Sequence, residues 1–424
     1  MSEVSEGIKK GGSVNDDKSF TKLTIKEILD KIGFGFGSQQ FINILFLQIG
    51  APLFLVGLIN IFRVIFGNLT SFFIEKFQNV KRNKKLIGLS GIIFGFSFLL
   101  IGIAIFLKSV AIFVSAIIIG SITIVIYGES NTFFKISSDK AYLFEKIIKY
   151  SLIITAISLF IAAYLMDKYP IFGVPILFNF FNNLVGFKIY GYLIVFEIAA
   201  ISFIFAGYVL SKVKQKTITS TNFKLKDFFD YCVKNKVILL LIVTSLIVSL
   251  VQIIGYSYYG IFIYQRLNNV MFGGFLNVAM VFLVSVFTSL IGYFITKINS
   301  KVYKKFPILI FGIAMVAFMP FAYFLKADLM FITIGTIIGV IGSSTVGITN
   351  SFLAIELINL NLRQTYFSFI NLVSIPFFLI MAPIFVYFIQ IFNLSELFLF
   401  LTIILVVLII MLLILLVMFK KDLP

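Results

Sequence analysis

From Ile32 onward the chain is divided into twelve apolar runs, most of them about twenty residues long. They fall near 32–50, 53–75, 86–107, 110–128, 146–165, 190–210, 237–264, 270–295, 306–325, 329–350, 366–391 and 397–419. Roughly twenty apolar residues in helical rise match a hydrocarbon core of about 30 Å. In hydrocarbon every backbone N–H and C=O must be paired within the segment, and a helix does this. With 60% hydrophobic residues, 12% charged residues and a mean hydropathy of +1.09, the chain is too poor in charge for a soluble domain. The expected fold class is an all-α integral membrane protein with about twelve transmembrane helices.

Charge fixes how these helices run. The chain carries a formal +17, which on composition alone would also suit a nucleic-acid partner. Twenty-nine of its 35 Lys and Arg residues, however, lie in the N-terminal tail, in alternate loops and at the C-terminus. The opposite loops hold only Lys108, Lys168, Lys188, Arg266 and Lys326, and Arg63 lies inside a span. That asymmetry is the positive-inside pattern, so both termini are expected in the cytoplasm of a cell-membrane protein, with no nucleic-acid partner. Histidine is absent and Cys232 is the one cysteine, so histidine triads, internal disulfides and Cys/His metal sites are excluded. No cofactor or metal is expected.

The chain also repeats itself. Ser71-x-x-x-Glu75-Lys76, followed by Lys81, Arg82, Lys84 and Lys85, recurs as Gly292-x-x-x-Thr296-Lys297, followed by Lys301, Lys304 and Lys305. IGFGFGS from Ile32 recurs as IGYSYYG from Ile254, and GESNTFFKI from Gly128 as GITNSFLAI from Gly347, pairing Asn131 with Asn350. The three pieces recur in order at nearly one offset, about half the chain. Both basic loops lie on the same side, so two six-helix halves are parallel repeats. The domains expected are a cytoplasmic tail and surface helix over 1–31, an N-terminal bundle over 32–211, a cytoplasmic linker over 212–236 and a C-terminal bundle over 237–420. Residues 1–20 read as a disordered tail. Ile25, Ile28, Leu29 and Ile32 at helical spacing read as an amphipathic helix lying on the membrane surface. The 166–188 loop, with Pro170 and Pro175, reads as an interfacial segment.

Residues 71–85 resemble the signature loop of the major facilitator superfamily, a Gly-x-x-x-Asp-Arg-x-Gly-Arg-Arg-like stretch after the second span. The match is degenerate: Ser71, Glu75, Lys76 and Gln78 replace the family's Gly, Asp, Arg and second Gly, and Thr296 takes the acidic place in the second copy. The resemblance implies two six-helix bundles rocking about one central site, a secondary transporter working by alternating access, and no enzyme activity. It implies an inner gate in which Glu75 latches to nearby lysines such as Lys135; Lys76, Asn131, Lys297 and Asn350 belong to the same gate. Glu75 equally suits a topogenic loop with no latch. Glu356 and Arg363 resemble the family's later Glu…Arg loop, or a plain surface ion pair.

The family's central site implies a lining from the first, fourth, seventh and tenth spans. Candidate substrate-binding residues are Gln39, Gln40 and Asn43 in the first span, Gln252, Tyr256 and Tyr259 in the seventh, and Ser344 beside Ser343 in the tenth. Hydrogen bonding between helices is the competing reading of these polar faces. Arg63 is the sharpest candidate. It shares a face with Asn60, Gly67 and Ser71, near the bilayer midplane, where insertion costs roughly 2.5–3.5 kcal/mol. Either it bonds backbone carbonyls or a membrane glutamate, or it faces a central cavity and draws in an anionic substrate. Glu129 is the candidate for a coupling proton, with Glu197 as a structural acid. The expected partners are a small-molecule substrate, a coupling proton or sodium ion and the lipid bilayer, around a monomer. The alternative function is a transporter-like sensor or scaffold that binds its solute without moving it.

Overall fold

A computed structural model describes residues 14–76, 83–130, 141–169, 173–180, 183–213, 228–229, 231–232, 235–267, 274–283, 302–325, 328–358 and 363–418. The N-terminal half is built from α1 (Val14–Phe36), α2 (Gln39–Gln48), α3 (Leu53–Lys76), α4 (Lys84–Phe106), α5 (Val110–Gly128), α6 (Ala141–Lys168) and α7 (Gly191–Ser211). The C-terminal half holds α8 (Lys236–Leu267), α9 (Gly274–Leu283), α10 (Val302–Phe324), α11 (Leu329–Leu357), α12 (Arg363–Ile391) and α13 (Leu394–Met418). Among the described residues, ten helices are long and apolar enough to cross a membrane. The first span, broken between α1 and α2, and the eighth, described only as α9, bring the arrangement to about twelve. The fold is all-α and spans the membrane many times.

The halves pack alike. In the first, α4 lies against α5 and α7, while α1 lies against α6 and α7. In the second, α10 lies against α11 and α13, while α8 lies against α12 and α13. These pairs stand at matching places in the two six-helix series. Small residues let the backbones close: a Cβ on Gly207 of α7 would stand 2.6 Å from the carbonyl oxygen of Gly88 in α4. The halves meet where α2 and α3 face α8 and where α3 faces α12.

Two segments depart from the sequence reading. The expected surface helix is part of α1, packed into the bundle by Leu29 and Ile32 of the expected apolar face together with Leu23, Lys26 and Asp30. Ile25 and Ile28, 44% and 37% exposed, point away from the protein, whereas Lys26 and Asp30 are only 2% and 3% exposed. Burial of these charges is tolerable because they compensate each other. Lys26 Nζ lies 2.8 Å from Asp30, and the Tyr127 hydroxyl of α5 donates to Asp30 at 2.7 Å. The 166–188 loop contains a hairpin, β1 (Val174–Phe180) paired antiparallel with β2 (Asn183–Ile189), in register from Val174 opposite Ile189 to Phe180 opposite Asn183. Gly173 enters it at φ +73°, and a Cβ there would also stand 2.8 Å from the Tyr190 ring. The Gly191 N–H donates to Tyr169 O at 2.9 Å and closes the neck.

Candidate functional site

A cavity of about 540 Å³ lies where the halves meet, walled by α2, α3, α8 and α12. Its α2 wall exists because helix breaks at Gly37 and Ser38, which restarts the chain at Gln39 with three amide side chains in five residues. Those amides bond across helices. Gln39 Nε2 donates to Asn43 Oδ1 and to Asn60 Oδ1 of α3, both at 2.8 Å. Asn60 Nδ2 donates to Asn43 Oδ1 at 3.1 Å and to Val56 O at 2.9 Å. Asn43 Nδ2 reaches Ser257 O of α8 at 3.1 Å. Gln40 closes the same seam, donating to Tyr256 O at 3.0 Å and accepting from the Gly260 N–H at 3.1 Å. A Cβ on Gly260 would stand 2.4 Å from Gln40 Oε1, so a side chain there would displace this amide.

The far wall is tied as well. Asn68 Nδ2 of α3 donates to Ser374 Oγ of α12 at 2.6 Å, and Asn371 Nδ2 donates to Ser71 Oγ at 3.1 Å. Between these two sets of bonds Arg63 lines the cavity, half-buried. Among the described residues its guanidinium has no ion pair or hydrogen bond, and no acidic side chain lines the cavity. Four described carboxylates are engaged elsewhere: Asp30 with Lys26, Glu27 with Lys31, Glu356 with Lys305, and Asp167 with two backbone N–H groups at the start of α9.

Of the residues expected at a substrate site, Gln39, Asn43, Arg63, Gln252 and Tyr256 line this cavity. Gln40 lies in the α2–α8 seam. Tyr259 is buried in an aromatic cluster, its ring 4.4 Å from Tyr323 and 5.2 Å from Phe398. Ser343 and Ser344 of α11 are half-buried outside the lining. The described walls are thus the first, second, seventh and eleventh spans rather than the first, fourth, seventh and tenth. The reason is visible in α3 and α12, whose Asn–Ser pairs bring them together across the halves.

The gate residues are more dispersed. Lys76 is exposed at the end of α3, and Asn350 donates to Ser245 Oγ within the C-terminal half. Asn131, Lys135, Thr296 and Lys297, with the side chains of Glu75 and Arg363, lie outside the described residues. Glu356 pairs with Lys305, which also lies 5.4 Å from the Phe352 ring centroid. Glu129 caps the C-terminus of α5, away from the cavity lining, and Glu197 is exposed on α7. Sequence reasoning missed Asn68, Ser249, Asn371 and Ser374. The available signal was Asn371, Ser374 and Phe378 on one face of α12, three and four residues apart.

No protein-family model and no curated protein matches this sequence. Solved structures do match its fold. The nucleoside transporter NupG superposes with a TM-score of 0.66 at 14% identity, over 92% of this chain and 98% of that one. A D-xylose–proton symporter superposes with a TM-score of 0.61 at 12% identity, over 93% and 97%. PepTSo, a POT family transporter, gives 0.62 at 13% identity, again over 93% and 97%. These neighbours are transporters and not enzymes. With its two similarly packed halves, the chain has the fold of these transporters.

Proposed function

We propose that this protein is a secondary transporter that carries a small anionic solute across the cell membrane by alternating access, with Arg63 as the anchor in the central cavity. One observation carries the reading: an arginine without a partner among the described residues lines a polar cavity between two bundles. An arginine deep in a membrane protein is held by a counter-charge or reserved for something that arrives. The guanidinium offers a planar fork that a carboxylate or phosphate accepts through two parallel bonds. Around it, Ser249, Gln252 and Tyr256 supply donors and acceptors for the rest of a polar solute. At about 540 Å³ the cavity suits a small organic molecule. Rocking of the halves would part the α2–α8 seam in one state and the Asn–Ser ties between α3 and α12 in the other.

The test is uptake by the purified full-length protein in liposomes, against a solute panel first sorted by thermal shift. Uptake above that of protein-free liposomes is expected for a small organic anion. Solutes that bind and stabilise the protein yet are never moved would make it a sensor or scaffold.

A further inference from the structure

We infer that the carrier is an obligatory anion exchanger: it reorients readily only when an anion sits on Arg63, so an anion must leave for each one that enters. This rests on the transport reading above and adds the mode of exchange. Alternating access requires the cavity to close before it reopens on the other side, and closing strips water from its walls. With an anion on the guanidinium, the closing cavity is neutral and the pair's hydrogen bonds replace lost water. Without one, the closing cavity holds a dehydrated cation. Among the described residues no carboxylate lines the cavity to neutralise it, and Asp30, Asp167 and Glu356 are already engaged. Tyr256, the one lining side chain besides Arg63 that titrates, ordinarily does so near pH 10, so it supplies no negative charge at neutral pH. Nor can Arg63 shed its proton. The penalty for enclosing an unpaired arginine slows the empty return by roughly two orders of magnitude. The amides cannot replace the missing charge, because Gln39, Asn43 and Asn60 are committed to one another and to α8.

The experiment uses the full chain in liposomes loaded either with an unlabelled anion or with potassium chloride alone. Radiolabelled lactate, succinate, glutamate and glycerol phosphate serve as probes, with uridine and glucose as neutral controls. For at least one anion, uptake into vesicles holding the same anion should exceed uptake into chloride vesicles about tenfold or more. An imposed potassium–valinomycin potential should change that exchange less than twofold. Arg63→Gln should bring the ratio towards one, while Arg63→Lys, which keeps the charge, should preserve it at a lower rate. Equal rates in vesicles holding the organic anion and in chloride vesicles overturn the exchange inference and leave the transport reading standing. A ratio that persists in inserted Arg63→Gln protein overturns it too; if that variant does not insert, the wild-type ratio decides. Movement of neutral solutes only removes both the exchange inference and the anionic substrate. No movement of any probe removes the transport reading itself.

Discussion

The charged residues drawn into this protein are not all handled alike. Arg63 is left facing a cavity, whereas Asp30 is fully compensated inside the N-terminal half by Lys26 at 2.8 Å and the Tyr127 hydroxyl at 2.7 Å. Breaking such a pair strands one charge in a poor solvent and costs about 3–5 kcal/mol. Asp30→Ala should therefore lower the thermal midpoint of detergent-solubilised protein markedly. Replacing both members, Lys26→Met with Asp30→Leu, should restore most of it, since apolar side chains of similar volume need no compensation. A double variant as unstable as Asp30→Ala would show that the pair does more than neutralise itself. Residue identity alone revealed Arg63, because a cation in the middle of an apolar run is expensive wherever it points. It did not reveal Lys26 and Asp30: their spacing is that of any exposed i, i+4 pair, and only Tyr127, far away in sequence, marks them as buried.

At the scale of helices, composition and period carried most of the reading, and two kinds of information were missing from them. The first is which face turns inward. Ile25 and Ile28 form an apolar stripe, and in a soluble protein that stripe would be the core; in a membrane protein lipid is an equally good place for it. The second is which polar residues cross between helices. Hydroxyls in apolar helices commonly bond to their own preceding turn, as Ser121 does to Ile117 O at 2.6 Å and Thr402 to Phe398 O at 2.8 Å. Ser374 of α12 also donates to its own turn, at Asn371 O, so nothing in sequence sets it apart as the acceptor for Asn68. Asp167 is another such contact. Its carboxylate accepts from the Phe275 and Leu276 N–H groups at 3.1 and 2.8 Å, where the N-terminal end of α9 favours negative charge. This bond joins α6 of one half to α9 of the other, at the end where Gln48 donates to the Tyr264 hydroxyl at 2.7 Å. Asp167→Ala should weaken closure of that end by about 1–2 kcal/mol. In a Cys232→Ser background with Gln48→Cys, labelling from outside by an impermeant thiol reagent should rise severalfold when Asp167→Ala is added. An unchanged rate would mean that the contact does not help hold the end closed.

For the whole molecule, the repeat in the sequence and the matched packing of the halves describe the same arrangement. The recurring pieces were visible because charge, glycine and polar residues there interrupt otherwise uniform apolar sequence. The contact between the halves was not visible, because it is made by side chains from four helices that lie far apart along the chain. The orientation expected from the charge bias is open to direct test. Single cysteines at Lys18, Asn222 and Asn268 in a Cys232→Ser background should be labelled from outside only at position 268. The native thiol adds little background even before removal, since it is buried and burial pushes it up to about 11. Labelling from outside at position 18 or 222 would reverse the orientation and with it the sense in which the ends of the cavity are named.

The central claim is that Arg63 anchors the solute in the cavity between the halves. Its most direct test is equilibrium binding of the best-stabilising anion to purified wild-type, Arg63→Lys and Arg63→Gln protein, with correct folding confirmed by unchanged thermal midpoints in the absence of solute. Loss of a bidentate charged contact should weaken binding by about 2–3 kcal/mol, or roughly thirty- to a hundred-and-sixtyfold, in Arg63→Gln, with Arg63→Lys in between. Affinity within about twofold of wild type in both folded variants would contradict the account.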